Sequence, residues 1–238
     1  MSDKLACMAE QFEEYGFSFT DLQIQQFYTF YEMLTAKNTV MNLTSITEFT
    51  DVMEKHFLDS LLINQVIDTT QPMRVIDLGT GAGFPGIPLK IAFPKLQITL
   101  MDSVNKKLRF LDEVISELKL ESVETIHARA EELARDKAYR EAFDLCVSRA
   151  VANLATLEEY CLPFVRVGGK FVSYKSGDVD AEAAESRKAC YLLGGTTQGI
   201  HRFELGESKR SFVIVDKIRT TPKAYPRKAG TPSKSPLK

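Results

Sequence analysis

Arg74–Leu89, R-V-I-D-L-G-T-G-A-G-F-P-G-I-P-L, is the stretch that decides the fold. Val75, Ile76 and Leu78 form a short apolar run ending at a glycine, the pattern of a buried strand. Gly79, Gly81 and Gly83 then give a turn without side chains, against which a ligand can lie on bare backbone. Pro85 suits the first position of a helix, where a missing N–H costs nothing. Strand, glycine turn and helix start make the first half of a βαβ unit of the kind that holds a nucleotide-like cofactor.

Two registers of these glycines compete. Gly81-x-Gly83-x-x-Gly86 fits the dinucleotide pattern G-x-G-x-x-G, a weak signal on its own. Counted from the strand end, that pattern would begin at Gly79 and put Phe84 where its third glycine belongs. Counted from Gly81, it sets Pro85 at the helix start and removes an N–H that a pyrophosphate needs. Asp77, two residues before the turn, suits a ligand with a cationic amino-acid end, whose ammonium it can help hold directly or through water. S-adenosylmethionine presents such an end. It is the expected cofactor, with NAD and a purely structural glycine turn as the alternatives.

Downstream of this unit, strand and helix patterns alternate. Strands are expected at 74–79, 96–101, 123–128, 143–149 and 169–175, and helices near 85–93, 104–119, 131–140, 153–166 and 178–193. Two further strands follow at 196–205 and 210–218. The fold class is α/β: a mostly parallel, doubly wound, seven-stranded sheet covered on both faces, with ligands bound at the carboxyl ends of its strands.

Those ends carry polar residues. Asp102 closes the second strand twenty-five residues after Asp77, the spacing of an acid that accepts from ribose hydroxyls; a helix cap is its structural alternative. At the end of the third strand, Ala128-Arg129-Ala130-Glu131 has small residues that let backbone approach an adenine edge, while Glu131 equally suits the first turn of a helix. Arg149 ends the fourth strand facing the expected cleft, with a surface salt bridge as the alternative.

Upstream, the chain reads as helical. Thr20 and Gln23 form a capping box, and Leu22, Phe27, Phe30, Tyr31 and Leu34 recur at helical spacing as a core stripe, broken at Lys37-Asn38. A second helix carries Phe49, Met53, Phe57 and Leu61 on one face and His56, Asp59 and Ser60 on the next. A histidine satisfied at a helix–helix contact is the simpler reading of His56; a face turned into the site is the sharper one.

Composition sets limits. The chain divides into an N-terminal helical extension (1–70), a cofactor-binding core (71–219) and a basic, proline-rich tail (220–238). The tail holds five basic residues and no acid; taking these from a formal net charge of −2 leaves −7 on the first 219 residues. An acidic body with a basic end suggests that nucleic acid is met on one face, through Lys223, Arg227 and Lys228, with Lys106 and Lys107 extending the patch. A solvated, disordered tail is the alternative. No signal peptide or membrane span is evident, and Cys7, Cys146, Cys161 and Cys190 lack metal-ligand spacing. A cytoplasmic, metal-free monomer is expected.

Asn42-Leu43-Thr44, His56-Phe57-Leu58-Asp59-Ser60, the D-L-G-T-G-A-G-F-P-G-I-P-L segment, Arg129-Ala130-Glu131, Ser148-Arg149-Ala150 and the tail's Tyr225-Pro226-Arg227-Lys228-x-Gly230-x-Pro232 together resemble the bacterial 16S ribosomal RNA guanine-N7 methyltransferases, the RsmG or glucose-inhibited division protein B family. The resemblance covers nearly the whole chain. It implies a class I methyltransferase sheet with an N-terminal helical extension, a 16S ribosomal RNA or small-subunit-precursor substrate, and cofactor contacts from Gly79, Phe84, Asp102, Ala130, Glu131 and Arg149, to which the glycine-turn reading adds Asp77 and Gly81.

The residues fit that chemistry on their own terms. Pyrimidine C5 methylation needs a nucleophilic cysteine, yet Cys146 and Cys161 fall inside a strand and a helix. Exocyclic-amine methylation usually uses an acid or amide with paired prolines after the fourth strand, where this chain has Ser148-Arg149-Ala150-Val151-Ala152-Asn153. A guanine N7 needs neither device, having an exposed lone pair and no proton to lose. No catalytic residue is therefore expected, and Asn42, His56 and Arg149 are candidates only for positioning. An NAD-dependent oxidoreductase and a non-enzymatic RNA-binding protein with a vestigial cofactor fold remain the alternative functions.

Overall fold

A computed structural model describes residues 2–149 and 152–237, so the Ala150-Val151 end of the Ser148-Arg149 segment lies outside it. The apolar run at Arg74–Leu78 is strand β1, central in the sheet and buried along nearly its whole length, as a strand covered on both faces must be. It is followed by helix α5 (Gly86–Ala92), β2 (Gln97–Asp102), α6 (Asn105–Glu117), β3 (Val123–His127), α7 (Ala130–Leu133) and β4 (Phe143–Arg149). Then come α8 (Leu154–Cys161), β5 (Val165–Ser176), α9 (Asp180–Leu192), β6 (Gly195–Leu205), β7 (Ser208–Lys217) and α10 (Thr231–Lys234).

The strand order is β3-β2-β1-β4-β5-β7-β6. All pairings from β3 to β5 are parallel; β7 inserts antiparallel between β5 and β6, through a hairpin that returns it into the sheet. That insertion separates the sheet from the all-parallel 3-2-1-4-5-6 order of dinucleotide-binding folds. The order reverses between β1 and β4, so the cleft opens above β1, β2 and β4.

Four N-terminal segments cover one sheet face: α1 (Ser2–Glu14), α2 (Asp21–Met41), α3 (Phe49–Val52) and α4 (Asp59–Leu61), the last two joined by a π-helical turn, Met53–Leu58. Phe12, Phe27, Phe30, Phe57 and Phe84 form a continuous aromatic cluster, so these helices share one core with β1 and α5. Polar docking reinforces it. Gln23 and Gln26 donate to carbonyls at the C-terminal ends of α5 and α6, Ile91, Ala92 and Leu118, which lack partners within their own helices.

Several local expectations are corrected. The Thr20–Gln23 capping box forms, but Leu22 is 68% exposed and takes no part in the aromatic stripe. The helix runs through Lys37-Asn38 to Met41 and ends at Asn42 in the left-handed region. Helix α7 stops at Leu133 instead of 140, and the Arg140 side chain beyond it donates to the Ala134, Thr221 and Tyr225 carbonyls. Strand β5 starts at Val165, four residues early. Helix α5 opens at Gly86 with Pro85 as its cap, one position from the expected start.

The tail is docked, not loose. Arg227 makes a bidentate pair with the wholly buried Glu159, Arg135 donates to the Pro226 carbonyl, Thr156 to the Pro232 carbonyl, and the Gly230 N–H to Glu131. The turn at Gly230 brings the chain back to the carboxyl edge of the sheet.

Candidate functional site

A cleft of about 540 Å³ lies at that edge, within the range of small-molecule sites. Its floor is the β1 turn. Gly79 and Gly81 take φ values of 73° and 61°, and the Gly79 and Thr80 N–H groups donate to the Met101 carbonyl, binding the turn to β2. A Cβ at Gly81 would meet no protein atom nearer than the Gly79 carbonyl oxygen at 3.9 Å. Packing therefore leaves this spot open for an occupant. At Gly86, by contrast, a Cβ would lie 2.3 Å from Leu100, so that glycine serves helix–strand contact.

Asp77 is corrected by this geometry. It is fully buried beneath the turn and does not line the cleft; its Oδ2 accepts from Thr80 Oγ1 at 2.7 Å and from the Gly86 N–H at 2.9 Å. Burial pushes its pKa up to about 6, against the Thr80 and Gly86 hydrogen bonds and the Arg149 charge. Asp77 thus shapes the turn and caps α5, instead of holding an ammonium group directly. The same contact occupies the helix N-terminus where a dinucleotide would set its pyrophosphate.

Asp102 stands at the end of β2 on the cleft wall. Its Oδ2 accepts from the Gly81 N–H at 3.0 Å and its Oδ1 from the Val104 N–H at 2.8 Å, while Lys107 Nζ lies 3.7 Å away. A carboxylate has about four acceptor positions, so lone pairs remain for hydroxyl donors. Ala130 and Glu131 line the next part of the wall with Arg129, and Gly230, Ser233 and Tyr160 close it from the tail and α8.

The opposite wall is a chain of polar contacts. Arg149 NH1 donates to the Lys55 carbonyl at 3.1 Å and to Asp59 Oδ2 at 2.9 Å, and its NH2 lies 3.1 Å from His56 Nδ1. Arg210 Nε donates to the other Asp59 oxygen at 3.0 Å. The guanidinium of Arg149 sits over the Phe84 ring, on which His56 also stacks with centroids 4.4 Å apart. Beyond the ring, His56 Nε2 is 2.8 Å from Thr44 Oγ1. Burial, then the Arg149 charge, lower the His56 pKa to about 3, so the imidazole is neutral at ordinary pH.

The structure thus brings Gly79, Gly81, Phe84, Asp102, Ala130, Glu131, Arg149 and His56 to one cleft. Asn42 is left out: it is exposed and caps α2, and its neighbours Leu43 and Thr44 line the cleft in its place. Arg227 is corrected too, since its guanidinium is held by Glu159 and the Ser235 carbonyl. Lys106, Lys223 and Lys228 are exposed and Lys107 lines the cleft. Thr44, Tyr160, Ser233 and Arg210 went unassigned in the sequence; only Thr44, inside the Asn42-Leu43-Thr44 motif, had a signal. Among the described residues no cluster of three potential metal ligands occurs, and no helix is long and apolar enough to cross a membrane.

Solved structures share this architecture. TrmN from Thermus thermophilus superposes with a TM-score of 0.53 at 16% identity, covering 70% of this chain and 53% of its own. A SAM-dependent O-methyltransferase from Thermotoga maritima gives 0.55 at 15% identity, covering 80% and 73%. Sheet order, inserted antiparallel strand and glycine-turn cleft define the class I methyltransferase fold.

Sequence narrows the class. Residues 23–213 match the GidB family, described as rRNA small subunit methyltransferase G. The Ribosomal RNA small subunit methyltransferase G of Staphylococcus aureus (strain Newman) is 48% identical over 232 residues, covering 97% of each chain, and that of Brevibacillus brevis is 49% identical over 234, covering 96% of this chain and 98% of its own. The chain belongs to this family.

Proposed function

We propose that the protein transfers the methyl group of S-adenosylmethionine to N7 of a guanine in 16S ribosomal RNA, without a general base. The observation that carries the reading is the full-length likeness to methyltransferases named for the small-subunit RNA, joined to a cleft whose one histidine is neutral with both ring nitrogens engaged. When bound, S-adenosylmethionine supplies an electrophilic methyl on a sulfonium. The Gly79–Gly81 backbone and Phe84 would form its cradle, Asp102 would accept from the ribose hydroxyls, and Ala130 and Glu131 would border the adenine. Among the described residues Arg149 uses three of its five N–H donors, and the other two would serve a carboxylate.

Guanine N7 presents a lone pair and no proton, so the residues around it need only align the base and keep water out. N7 is shut in the deep groove of paired A-form RNA, which points to an unpaired or splayed base as the acceptor. Exposed Lys106, Lys223 and Lys228, with Lys107 and Arg129 at the cleft rim, would hold surrounding phosphates. The three-part division at residues 70 and 219 belongs to the same proposal, with the tail as a wall of the cofactor site; the cytoplasm is the setting and the monomer the working state.

The test is incubation of the pure protein with S-adenosylmethionine and unmodified 16S RNA, naked and in small subunits, followed by nucleoside mass spectrometry. N7-methylguanosine is expected. Its absence from both substrates, or methyl on another atom, would overturn the proposal.

A further inference from the structure

The wall opposite the cofactor cradle fixes the direction of one proton. His56 Nδ1 has two neighbours at 3.1 Å, Arg149 NH2 and the Lys55 carbonyl. The Lys55 carbonyl, with one acceptor position taken by Arg149 NH1, keeps a second, but a guanidinium can only donate and Arg149 NH2 also reaches Nδ1. A proton on Nδ1 would face the guanidinium donor to donor. Nδ1 is therefore the bare nitrogen and accepts from Arg149, which leaves the single ring proton on Nε2. The low pKa of His56 agrees with a ring that carries no second proton.

Nε2–H then donates to Thr44 Oγ1 at 2.8 Å, and the Ile46 N–H donates to the same oxygen at 3.0 Å. A hydroxyl has two acceptor positions and one donor. Both acceptor positions of Thr44 are filled, and its O–H has no acceptor among the described residues. Thr44 lines the cleft. Its hydroxyl is thus a donor-only group presented to whatever lies beside the cofactor cradle. The chain behind it, Arg210 and Arg149 on Asp59 and then Arg149 on His56, keeps it so.

The two purines differ at the atom next to N7. Guanine carries the acceptor O6 there, and adenine the donor N6–H₂. A donor-only hydroxyl bonds the first and is unsatisfied by the second. Because it bonds O6 and not N7, it also leaves the reacting lone pair free. Resting on the guanine-N7 reading above, we propose that Thr44 is a specificity-determining residue that donates its O–H to O6 of the acceptor guanine.

The experiment pairs a change in the protein with a change in the base. The methylated position is first mapped on ordinary RNA and then replaced by 2-aminopurine, which keeps N7 and lacks O6. kcat/KM is measured for wild type, Thr44→Val and Thr44→Ser on both RNAs, with S-adenosylmethionine titration as a check on folding. Thr44→Val is expected to lose about tenfold on guanine, the scale of one hydrogen bond, and nothing further on 2-aminopurine; Thr44→Ser should follow wild type. Equal losses by Thr44→Val on both bases, or none on guanine, would overturn the assignment, as would wild type methylating both RNAs equally well. The ¹⁵N shifts of the His56 ring give a readout that needs no variant: a proton on Nδ1 overturns it. A wild-type protein that never methylates guanine N7 would instead remove the reading beneath, a distinct failure.

Discussion

The two walls of the cleft are built differently. The wall proposed to hold the cofactor comes largely from neighbouring strand ends: the β1 turn and Asp102 are joined by the Gly81–Asp102 hydrogen bond and by the Met101 carbonyl. The wall proposed to face the acceptor gathers Thr44, His56, Asp59, Arg149 and Arg210 from a loop, a π-helical turn, α4, β4 and β7. The first is largely a backbone cradle, set by the glycine turn of this fold. The second is a side-chain network of linked hydrogen bonds that leaves the Thr44 O–H unpaired among the described residues, and selectivity for one base is proposed to belong there. The contrast makes variants on the two walls separable.

The largest effect is expected from the segment that closes the cofactor wall. Arg227→Ala leaves Glu159, wholly buried, without its bidentate partner and frees the tail. Loss of roughly 3 kcal/mol of stability is expected by denaturant titration, as for other broken buried pairs, together with weaker S-adenosylmethionine binding. Full cofactor affinity in a folded Arg227→Ala protein would show that the tail is no wall of the site.

Next in size is Gly81→Ala. The added Cβ meets only the Gly79 carbonyl oxygen at 3.9 Å, so the fold should lose about 1–2 kcal/mol for the left-handed backbone. Its methyl group occupies the cradle, and calorimetry should show at least a tenfold drop in cofactor affinity. Unchanged affinity would move the cofactor away from the turn.

The acceptor wall should respond to proton uptake. His56 takes up its second proton near pH 3 when folded and near 6.5 when unfolded. Between those values the unfolded state binds more protons, so the stability contributed by His56 is complete above about pH 6.5 and declines as pH falls toward 3, by up to ~1.4 kcal/mol per pH unit. NMR should find the ring neutral from pH 5 to 8. In Arg149→Met one of the two causes of the lowered pKa is gone, so the ring should titrate at higher pH.

That the β1 turn and Asp102 meet at one cleft was mostly legible in the sequence because the signals are local: an apolar run, glycines and an acid at fixed spacing. Even there Asp77 misled, since which oxygen of a strand-end acid faces the helix N-terminus depends on how β1 and α5 pack. The acceptor wall was only partly legible. His56 and Asp59 shared a helix face, but their partner Arg149 lies some 90 residues away and Arg210 some 150. Asn42 drew attention as a motif residue while Thr44 carried the contact, and Arg227 read as a free cation because nothing local shows that Glu159 waits in α8. Leu22 lies in the first turn of α2 but five residues before Phe27, about 140° around the helix from it, and so faces water.

The smallest effects belong to the rim. Lys106→Ala should leave folding and cofactor affinity unchanged, and make the slope of log RNA affinity against log salt shallower by about 0.7–0.9 if one phosphate contact is lost. A slope equal to wild type would place the RNA elsewhere.

The account turns on the acceptor wall aligning the base and moving no proton. Single-turnover methyl transfer, measured at saturating S-adenosylmethionine and RNA from pH 5.5 to 9, tests this most directly. The predicted profile is flat through the region where an ordinary histidine titrates, because His56 stays neutral with both nitrogens engaged. A rising limb with an apparent pKa of about 6–7 that vanishes in His56→Gln would make His56 a general base and contradict the account.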